Sequence, residues 1–458
     1  MTETSLLGFT TIAPSVAQDR SAPALRHSWQ RWGTIAIAAS LIPACVNTKF
    51  QTNMAPRAYV VADDPYAAAA GRDVLARGGT AADAAAAMGL AMAVTLPSRA
   101  GLAGGGVCVV YNGGTKETRT LDFLPRPVGT NGAALPGTLR AFYALQAAGG
   151  VLRWEQVVVG AEALARQPTP VSRIFAQDLQ AGAARLGNGE VRRAFAPDGR
   201  PAAAGTPVAQ PELAATLSAV RRNGFAALHN GAGAEALATA VGVDAASVRA
   251  VVPRWGATQN VDLGQGATLH FADLPESGGT LARVWTAASD AAPAERTARA
   301  RSLLTAGGGT GEAPAAGFAV LDAGEQAVAC ALTMGGLFGT GRGVPGTGIL
   351  TAAGVRSAGF GTPAVVSTML NRSLWAGAGS AIGGDGPAAG PAALFDIGLP
   401  ALEMKRFPVE IQAARPAGAP GRAAVVGCLV SADNGVRACQ PAPDSHSGGA
   451  GFDVEVTP

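Results

Sequence analysis

The most constraining feature of this sequence is a stretch at residues 80–95 that is built largely of alanine. Thr80 precedes it as a helix N-cap, and Asp83 follows three residues later, a spacing typical of the first turn of a helix. Small side chains lie on most faces of such a helix, so neighbouring backbones can approach it closely. The stretch therefore predicts a helix buried inside the core, ending near Val94.

Strand patterns occur early and late in the chain, and helical patterns lie between them. The order of elements favours a layered α+β architecture of the αββα type. Residues 290–316, rich in Ala, Gly and Thr, are the best linker candidate. The predicted strands are 59–62, 106–112, 118–123, 318–321 and 327–333, and the predicted helices are 65–77, 80–94, 139–148, 154–166 and 211–222.

Composition excludes several classes of protein. The chain has 458 residues, is 48% hydrophobic and 15% charged, and carries a net charge of +3. No Lys/Arg stripe is present, which argues against a nucleic-acid partner. The histidines lie far apart without zinc-ligand spacing, so no metal and no cofactor is expected. They are His27, His229, His270 and His446.

The first 45 residues are predicted to be a signal peptide. Arg26 and Arg31 precede an apolar run, residues 32–44, that is too short to span a bilayer as a helix. The run ends in LIPA before Cys45, a pattern similar to a bacterial lipobox, in which Cys45 would be lipidated. Pro43 is unusual in that pattern, so an ordinary signal peptide is the alternative. We expect a periplasmic protein of a Gram-negative bacterium that contacts the membrane only through a lipid anchor.

The remaining cysteines fall into two groups. Cys428 and Cys439 flank a turn, SADNG, and face each other if the turn is centred between residues 433 and 434. Such opposed positions have the spacing a disulfide requires, so we expect this bridge. Cys108 and Cys330 lie in apolar strand patterns, where buried core thiols are the simpler interpretation.

A series of blocks, taken together and in order, resembles the gamma-glutamyltranspeptidase family. The resemblance implies an N-terminal-nucleophile (Ntn) hydrolase fold with four αββα layers. In active members one Thr cleaves its preceding peptide bond and then attacks the γ-glutamyl amide of glutathione-like substrates. Residues 46–314 would correspond to the large subunit and residues 315–458 to the small subunit. The blocks are 77–112, 121–123, 135–172, 223–237, 274–279, 317–332 and 338–350.

The resemblance places the nucleophile position on Ala315. The segment GFAVLD, residues 317–322, fixes the register, and Ala316 then occupies the position of a second Thr. A methyl group cannot attack an acyl carbon. Thr310, in the glycine-rich GGGTGE, is the alternative nucleophile close before this strand, although such a Thr is more often a turn residue.

The family's oxyanion-hole serines also lack counterparts in this register. Val365 and Val366 fall on those positions. Ser367 and Thr368 could supply the two hydroxyls after a shift of two residues. The resemblance thus leaves these two residues as substrate-binding candidates.

Three further family positions have changed. Leu124 replaces the Arg that binds the substrate glutamate, and Arg126, two residues on, could still bind a carboxylate. Ser357 falls near the position of the amine-binding Asp, beside Arg356, whose cation would repel a substrate ammonium group. Gly335 replaces an Asn. These changes together predict loss of the family's ordinary activity.

Two functional hypotheses follow. The first is a periplasmic binding or scaffold protein that stays uncleaved and has lost catalysis. Its partner would be a small γ-glutamyl or amino-acid-like ligand, or another periplasmic protein. The alternative is an active γ-glutamyl hydrolase or transferase with a displaced nucleophile.

Overall fold

The computed structural model describes residues 56–456 with short internal gaps. The expected signal peptide with Cys45, and the candidates Thr310 and Ser357, lie outside the described residues. Within the described part, none of the helices has the length and apolar character needed to cross a membrane. The internal gaps are 129–131, 188, 276–279, 307–313, 356–360, 371–372, 381–385, 387, 404, 417, 431–436 and 445–447.

Two antiparallel sheets, in which some neighbouring strands are distant in sequence, form the centre of the described structure. The first sheet has seven strands, and its central pair, β9 and β10, is completely buried. In spatial order, the seven strands among the described residues are β17 (Ala450–Glu455), β1 (Arg57–Ala62), β9 (Ala315–Leu321), β10 (Ala327–Thr333), β2 (Gly105–Asn112), β3 (Glu117–Phe123) and β6 (Arg254–Gly256).

The second sheet has six strands within the described residues. In spatial order they are β16 (Arg437–Ala442), β15 (Arg422–Val430), β14 (Ser373–Ser380), β13 (Gly361–Thr368), β8 (Ala267–Ala272) and β7 (Thr258–Gly264). Two small ladders lie apart from both sheets. They are β4 (Thr169–Pro170) with β5 (Pro207–Val208), and β11 (Gly343–Val344) with β12 (Ile349–Leu350).

Helices cover the outer face of each sheet. Helices α1 to α10 precede β6, and helices α11 to α14 follow β8. The first group is α1 (Pro65–Leu75), α2 (Ala81–Thr95), α3 (Thr138–Gly149), α4 (Trp154–Arg166), α5 (Arg173–Gly182), α6 (Glu190–Phe195), α7 (Pro211–Asn223), α8 (Ala226–His229), α9 (Gly231–Val241) and α10 (Ala245–Arg249). The second group is α11 (Thr280–Ser289), α12 (Arg296–Ala306), α13 (Ala389–Glu403) and α14 (Pro408–Ala413).

Alternation along β9 shows how the layers are built. Ala316 and Phe318 pack in the cluster that lies under α2 and α3, whereas Ala315 and Ala319 pack in a second cluster between the two sheets. A third cluster, with Trp285 at its centre, lies between the second sheet and its helices. Three apolar interfaces separate four layers, which confirms the predicted αββα fold.

Helix α2 forms as the alanine pattern predicts. Thr80 accepts a hydrogen bond from the backbone N–H of Asp83, and the Asp83 carboxylate accepts one from Thr80 N at 3.1 Å. Every residue of the helix is buried. A Cβ at Gly89 would lie 2.1 Å from the ring of Phe142, so α3 can approach only because this position carries no side chain.

Two sequence expectations need correction. Residues 290–316 are not a linker throughout, because α12 occupies Arg296–Ala306 and packs Leu304 in the third cluster. Cys108 and Cys330 are not free thiols, since they form a disulfide between directly paired residues of β2 and β10. These two strands lie 222 residues apart in sequence, so their register could not be predicted from local pattern.

The bridge between Cys428 and Cys439 is present in the structure. The two residues are directly opposed in the ladder of β15 and β16, with Cα atoms 3.9 Å apart. Both sheets combine strands from the segment before residue 314 with strands from the segment after it. The division at 314/315 therefore stays a prediction about chain processing.

Candidate functional site

Ala315 opens strand β9 and points between the two sheets. It has no exposed surface and is paired in the ladder with Thr333 of β10. The Thr333 hydroxyl donates to the carbonyl of Pro314 at 2.7 Å and accepts from Gly335 N. Position 315 therefore offers a methyl group, and the nearest hydroxyl in the ladder is held by backbone groups rather than by a base.

A buried ion pair adjoins position 315. Arg99 makes two hydrogen bonds with the carboxylate of Asp178, at 2.6 and 2.7 Å, and Ser98 Oγ donates to the same carboxylate. Arg99 Nη1 also donates to the carbonyl of Ala315 at 3.2 Å. The side chains of Arg99 and Asp178 are 0% and 3% exposed. Arg99 lies in the loop after α2 and Asp178 lies in α5, both distant in sequence from β9. Together they hold the start of this strand in place.

A second charged group lies at the same end of the sheets. Asp63 Oδ2 accepts from Gly317 N at 2.8 Å and from Ser380 Oγ at 2.6 Å. Burial raises the pKa of Asp63. Burial lowers the pKa of the nearby Arg422 to about 10, so this guanidinium stays charged at neutral pH.

These charged residues were missed by sequence reasoning. Arg99 stands in the sequence as one residue of a turn after α2, and Asp178 lies within an amphipathic helix pattern. Nothing local pairs them. The signal that could have found them is the presence of charges inside otherwise apolar segments, because such charges are seldom buried without a partner.

Leu124 and Arg126 lie near this end of the first sheet. Leu124 is buried in the cluster that contains Ala315. Arg126 makes two hydrogen bonds with Asp122, at 3.0 and 2.9 Å, and Arg254 bonds to the same carboxylate. Although burial opposes it, the hydrogen bonds from Arg126 and from Leu124 N lower the pKa of Asp122. Arg126 thus pairs with an internal carboxylate that Arg254 shares, and its role in substrate binding stays a prediction.

Gly335 occupies a position where a side chain has no room. Its φ is +77°, and a Cβ there would lie 2.0 Å from the carbonyl oxygen of Ala353. An Asn at this point would need a different course of the chain. The backbone conformation at Gly335 therefore leaves no room for the Asn that the family has at this position.

Ser367 and Thr368 do not lie beside Ala315. The Gly361 end of β13 pairs with Ser380, which Asp63 links to Gly317. Ser367 follows six residues further along, on the order of 20 Å for an extended strand. Its hydroxyl instead lies 2.8 Å from Nε2 of His270. The geometry does not support these two residues as oxyanion donors to position 315.

Comparisons with known proteins agree with the fold. The sequence model of gamma-glutamyltranspeptidase matches residues 67–127 and 124–284. A glutathione hydrolase proenzyme of Bacillus subtilis strain 168 is 27% identical over 253 residues, which cover 47% of this chain and 43% of that protein. The chain belongs to the gamma-glutamyltranspeptidase family.

Other members of the gamma-glutamyltranspeptidase family match over shorter stretches. Glutathione hydrolase 7 of Rattus norvegicus is 30% identical over 187 residues, covering 38% of this chain and 28% of that protein. The alignments thus span less than half the length of these curated relatives. The family match includes Arg99, Leu124 and Arg126 and ends before Ala315.

Solved structures show the fold over most of the chain. A cephalosporin acylase from Bacillus halodurans superposes with a TM-score of 0.64 at 17% identity, covering 87% of this chain and 96% of that one. A structure titled LmbA2991HD gives a TM-score of 0.66 at 15% identity, with 87% and 98% covered. The Ntn hydrolase fold implied by the sequence blocks is thereby confirmed.

Within the described residues of this family member, no group of three or more His, Cys, Asp and Glu side chains could hold a metal ion. Among the described residues, the charged side chains nearest to position 315 are buried Arg and Asp side chains. They can orient or neutralise a polar group, but they supply neither a nucleophilic hydroxyl nor an N-terminal amine.

Proposed function

We propose that this protein is a catalytically degenerate member of the gamma-glutamyltranspeptidase family that acts as an uncleaved binding or scaffold protein. The observation that carries the proposal is Ala315. It opens β9, is fully buried, and carries a methyl group where active relatives need a threonine hydroxyl.

The surroundings of position 315 support the same proposal. Leu124 and Leu274 contribute apolar surface to the cluster around Ala315. Arg126 is paired with Asp122, a carboxylate that it shares with Arg254. A site built for γ-glutamyl transfer would carry hydrogen-bond donors that stabilise a developing oxyanion. Such donors typically contribute about 3 kcal/mol each.

The ligand we propose is a small γ-glutamyl or amino-acid-like molecule, or a protein that presents such a group. Such a ligand carries both an ammonium and a carboxylate. Arg422 stays charged at neutral pH and offers a cation to the carboxylate, while Asp63, whose pKa burial raises, offers its Oδ1 as an acceptor for the ammonium group. The expected location is the periplasm, with attachment through a lipid on Cys45.

Turnover and binding together test this function. We expect γ-glutamyl-p-nitroanilide hydrolysis by the purified protein to equal background, since loss of the attacking group costs on the order of a million-fold in rate. Calorimetry with glutathione and with glutamate tests binding. Ala315→Thr alone should not restore turnover, because Val365 and Val366 occupy the positions of the family's oxyanion-hole serines.

Saturable turnover would contradict the proposal. If Thr310→Ala then abolished that turnover, the protein would be an active γ-glutamyl hydrolase or transferase with a displaced nucleophile. Turnover that survives in Thr310→Ala would point to a different attacking group.

A further inference from the structure

Three polar side chains form a hydrogen-bonded chain on adjacent strands of the second sheet. Ser367 Oγ of β13 lies 2.8 Å from His270 Nε2 of β8, and His270 Nδ1 lies 2.8 Å from Asn260 Oδ1 of β7. Asn260 and His270 are directly paired in the ladder, and His270 is paired with Val365. Because strand residues alternate between faces, Ser367 lies on the same face as Val365 and His270, towards the first sheet.

The hydrogen bonds fix the tautomer of His270. An amide oxygen can only accept, so Nδ1 carries the proton that is donated to Asn260 Oδ1. The lone pair is then on Nε2, and Ser367 Oγ–H must be the donor to it. Burial lowers the pKa of His270 to about 4, so the ring is neutral and this lone pair is available at neutral pH.

Ser367, His270 and Asn260 are bonded in the same sequence as the groups of a nucleophilic catalytic site. A hydroxyl is bonded to a base, and the base is oriented by a third group. Thr258 Oγ donates to the same Asn260 oxygen at 2.8 Å and so fixes the amide as well.

The serine is also reachable. Ser367 is half-buried, while Asn260 on the edge strand β7 is exposed. The irregularity in the pairing of β13 with β14 places an extra residue, Leu374, on β14, whereas β13 keeps its regular register with β8 through Ser367. Thr268 lies directly opposite Ser367 in the ladder with β8, where its hydroxyl can donate to an oxygen held near Ser367.

An apolar side chain lies next to this hydroxyl pair. Met369 is 78% exposed and lies against Gly266 in the β7–β8 turn, two residues before Thr268. A short acyl group can rest on it while its carbonyl meets Ser367. Strands β2 and β3 of the first sheet lie against β8, which carries His270, so we expect small substrates.

We propose that Ser367, His270 and Asn260 form a second nucleophilic site, at which small carboxylic esters acylate Ser367. Ser367 Oγ bonds to the ester carbonyl carbon and its proton passes to His270 Nε2. The bond to the leaving alkoxide then breaks, and His270 returns the proton to that oxygen, which leaves as an alcohol. Water repeats the two steps on the acyl-serine and releases the carboxylic acid. Ser367 and His270 are the catalytic residues, and Asn260 is a positioning residue.

This site is separate from position 315. Ser367 lies at the far end of β13 from Gly361, and Arg437 near that far end pairs with Glu325 in the β9–β10 turn. Ala315 lies at the opposite end of β9 from that turn. The inference is therefore independent of whether position 315 has any activity towards γ-glutamyl compounds.

Labelling with a fluorophosphonate tests the proposal directly. Its phosphorus–fluorine bond is replaced by a bond to an activated serine oxygen, with release of fluoride. We expect one label per folded chain, located by peptide mass spectrometry on Ser367, together with hydrolysis of p-nitrophenyl acetate. His270→Gln should slow labelling by on the order of 10² to 10⁴-fold. Asn260→Ala should slow labelling less than His270→Gln does. Asn260→Asp, which keeps an acceptor oxygen for His270 Nδ1, should be labelled at the wild-type rate.

A control serine is available in α7. Ser218 Oγ accepts from Arg222 and has no histidine partner in the described structure, so Ser218→Ala should leave labelling unchanged. The proposal is overturned if the wild-type protein carries no label at Ser367 under conditions that label a known serine esterase. It is equally overturned if heat-unfolded protein is labelled at the same rate, or if His270→Gln, folded by circular dichroism, is labelled as fast as wild type.

Discussion

Replacing Asp178 by Asn should strongly destabilise the protein. The substitution keeps the shape of the side chain but removes the carboxylate that accepts two hydrogen bonds from Arg99. Both side chains are essentially unexposed, so solvent and salt screen the lost attraction very little. Breaking a buried pair from one side typically costs 3–5 kcal/mol, because the remaining charge stays buried. We expect about 3 kcal/mol, since the amide oxygen can keep one hydrogen bond from Arg99.

Urea unfolding followed by circular dichroism measures this change as a loss of free energy of unfolding. Glu410→Gln is the matched control, because its partner Arg406 lies 3.6 Å away and both side chains are about half exposed. Such a surface pair should change stability by less than about 0.5 kcal/mol. If the loss comes from the buried charge of Arg99 without the carboxylate of Asp178, adding Arg99→Met to Asp178→Asn should recover part of it. A loss below about 1 kcal/mol, or a double variant less stable than Asp178→Asn alone, would refute this explanation.

The remaining predictions concern the disulfide between Cys428 and Cys439, the buried carboxyl group of Asp64 and the N-terminal segment. Replacing Cys428 and Cys439 by Ser should lower the free energy of unfolding by roughly 2–3 kcal/mol, and non-reducing peptide mapping should find neither thiol alkylatable in the wild type. Burial raises the pKa of Asp64 from 3.8 to about 6, although hydrogen bonds to it oppose the shift. The folded state therefore holds this proton more tightly, and stability should fall by about 3 kcal/mol as pH rises from about 4 through 6. The pH dependence of urea midpoints checks this, and Asp64→Asn should flatten the curve over that range. Cys45→Ser should move the protein from the membrane fraction to the soluble periplasmic fraction; a wild type that is already soluble would favour an ordinary signal peptide.

Local sequence patterns predicted the elements that depend on local physics. The helix begins at Ala81, directly after its predicted cap Thr80, because the cap and the alanine run act within a few residues. Strand β10 has the predicted bounds, Ala327–Thr333. The opposition of Cys428 and Cys439 followed from the turn between them, which sets the register of a hairpin.

Contacts between distant segments could not be predicted in this way. The pairing of Cys108 with Cys330 depends on the order of strands in the first sheet. The contact of Arg99 with Asp178 depends on where α5 packs against the loop after α2. The contact of Ser367 with His270 depends on the β8–β13 ladder. Each needs the tertiary arrangement, which a single sequence does not specify through periodicity.

The central claim is that position 315 cannot carry out the self-cleavage that active relatives need. Mass spectrometry of the intact purified protein, supported by a denaturing gel, tests it most directly. We predict a single polypeptide that is continuous across Pro314 and Ala315, because a methyl group cannot attack the preceding carbonyl. Two fragments in equal amounts, one of which begins at Ala315, would contradict the account.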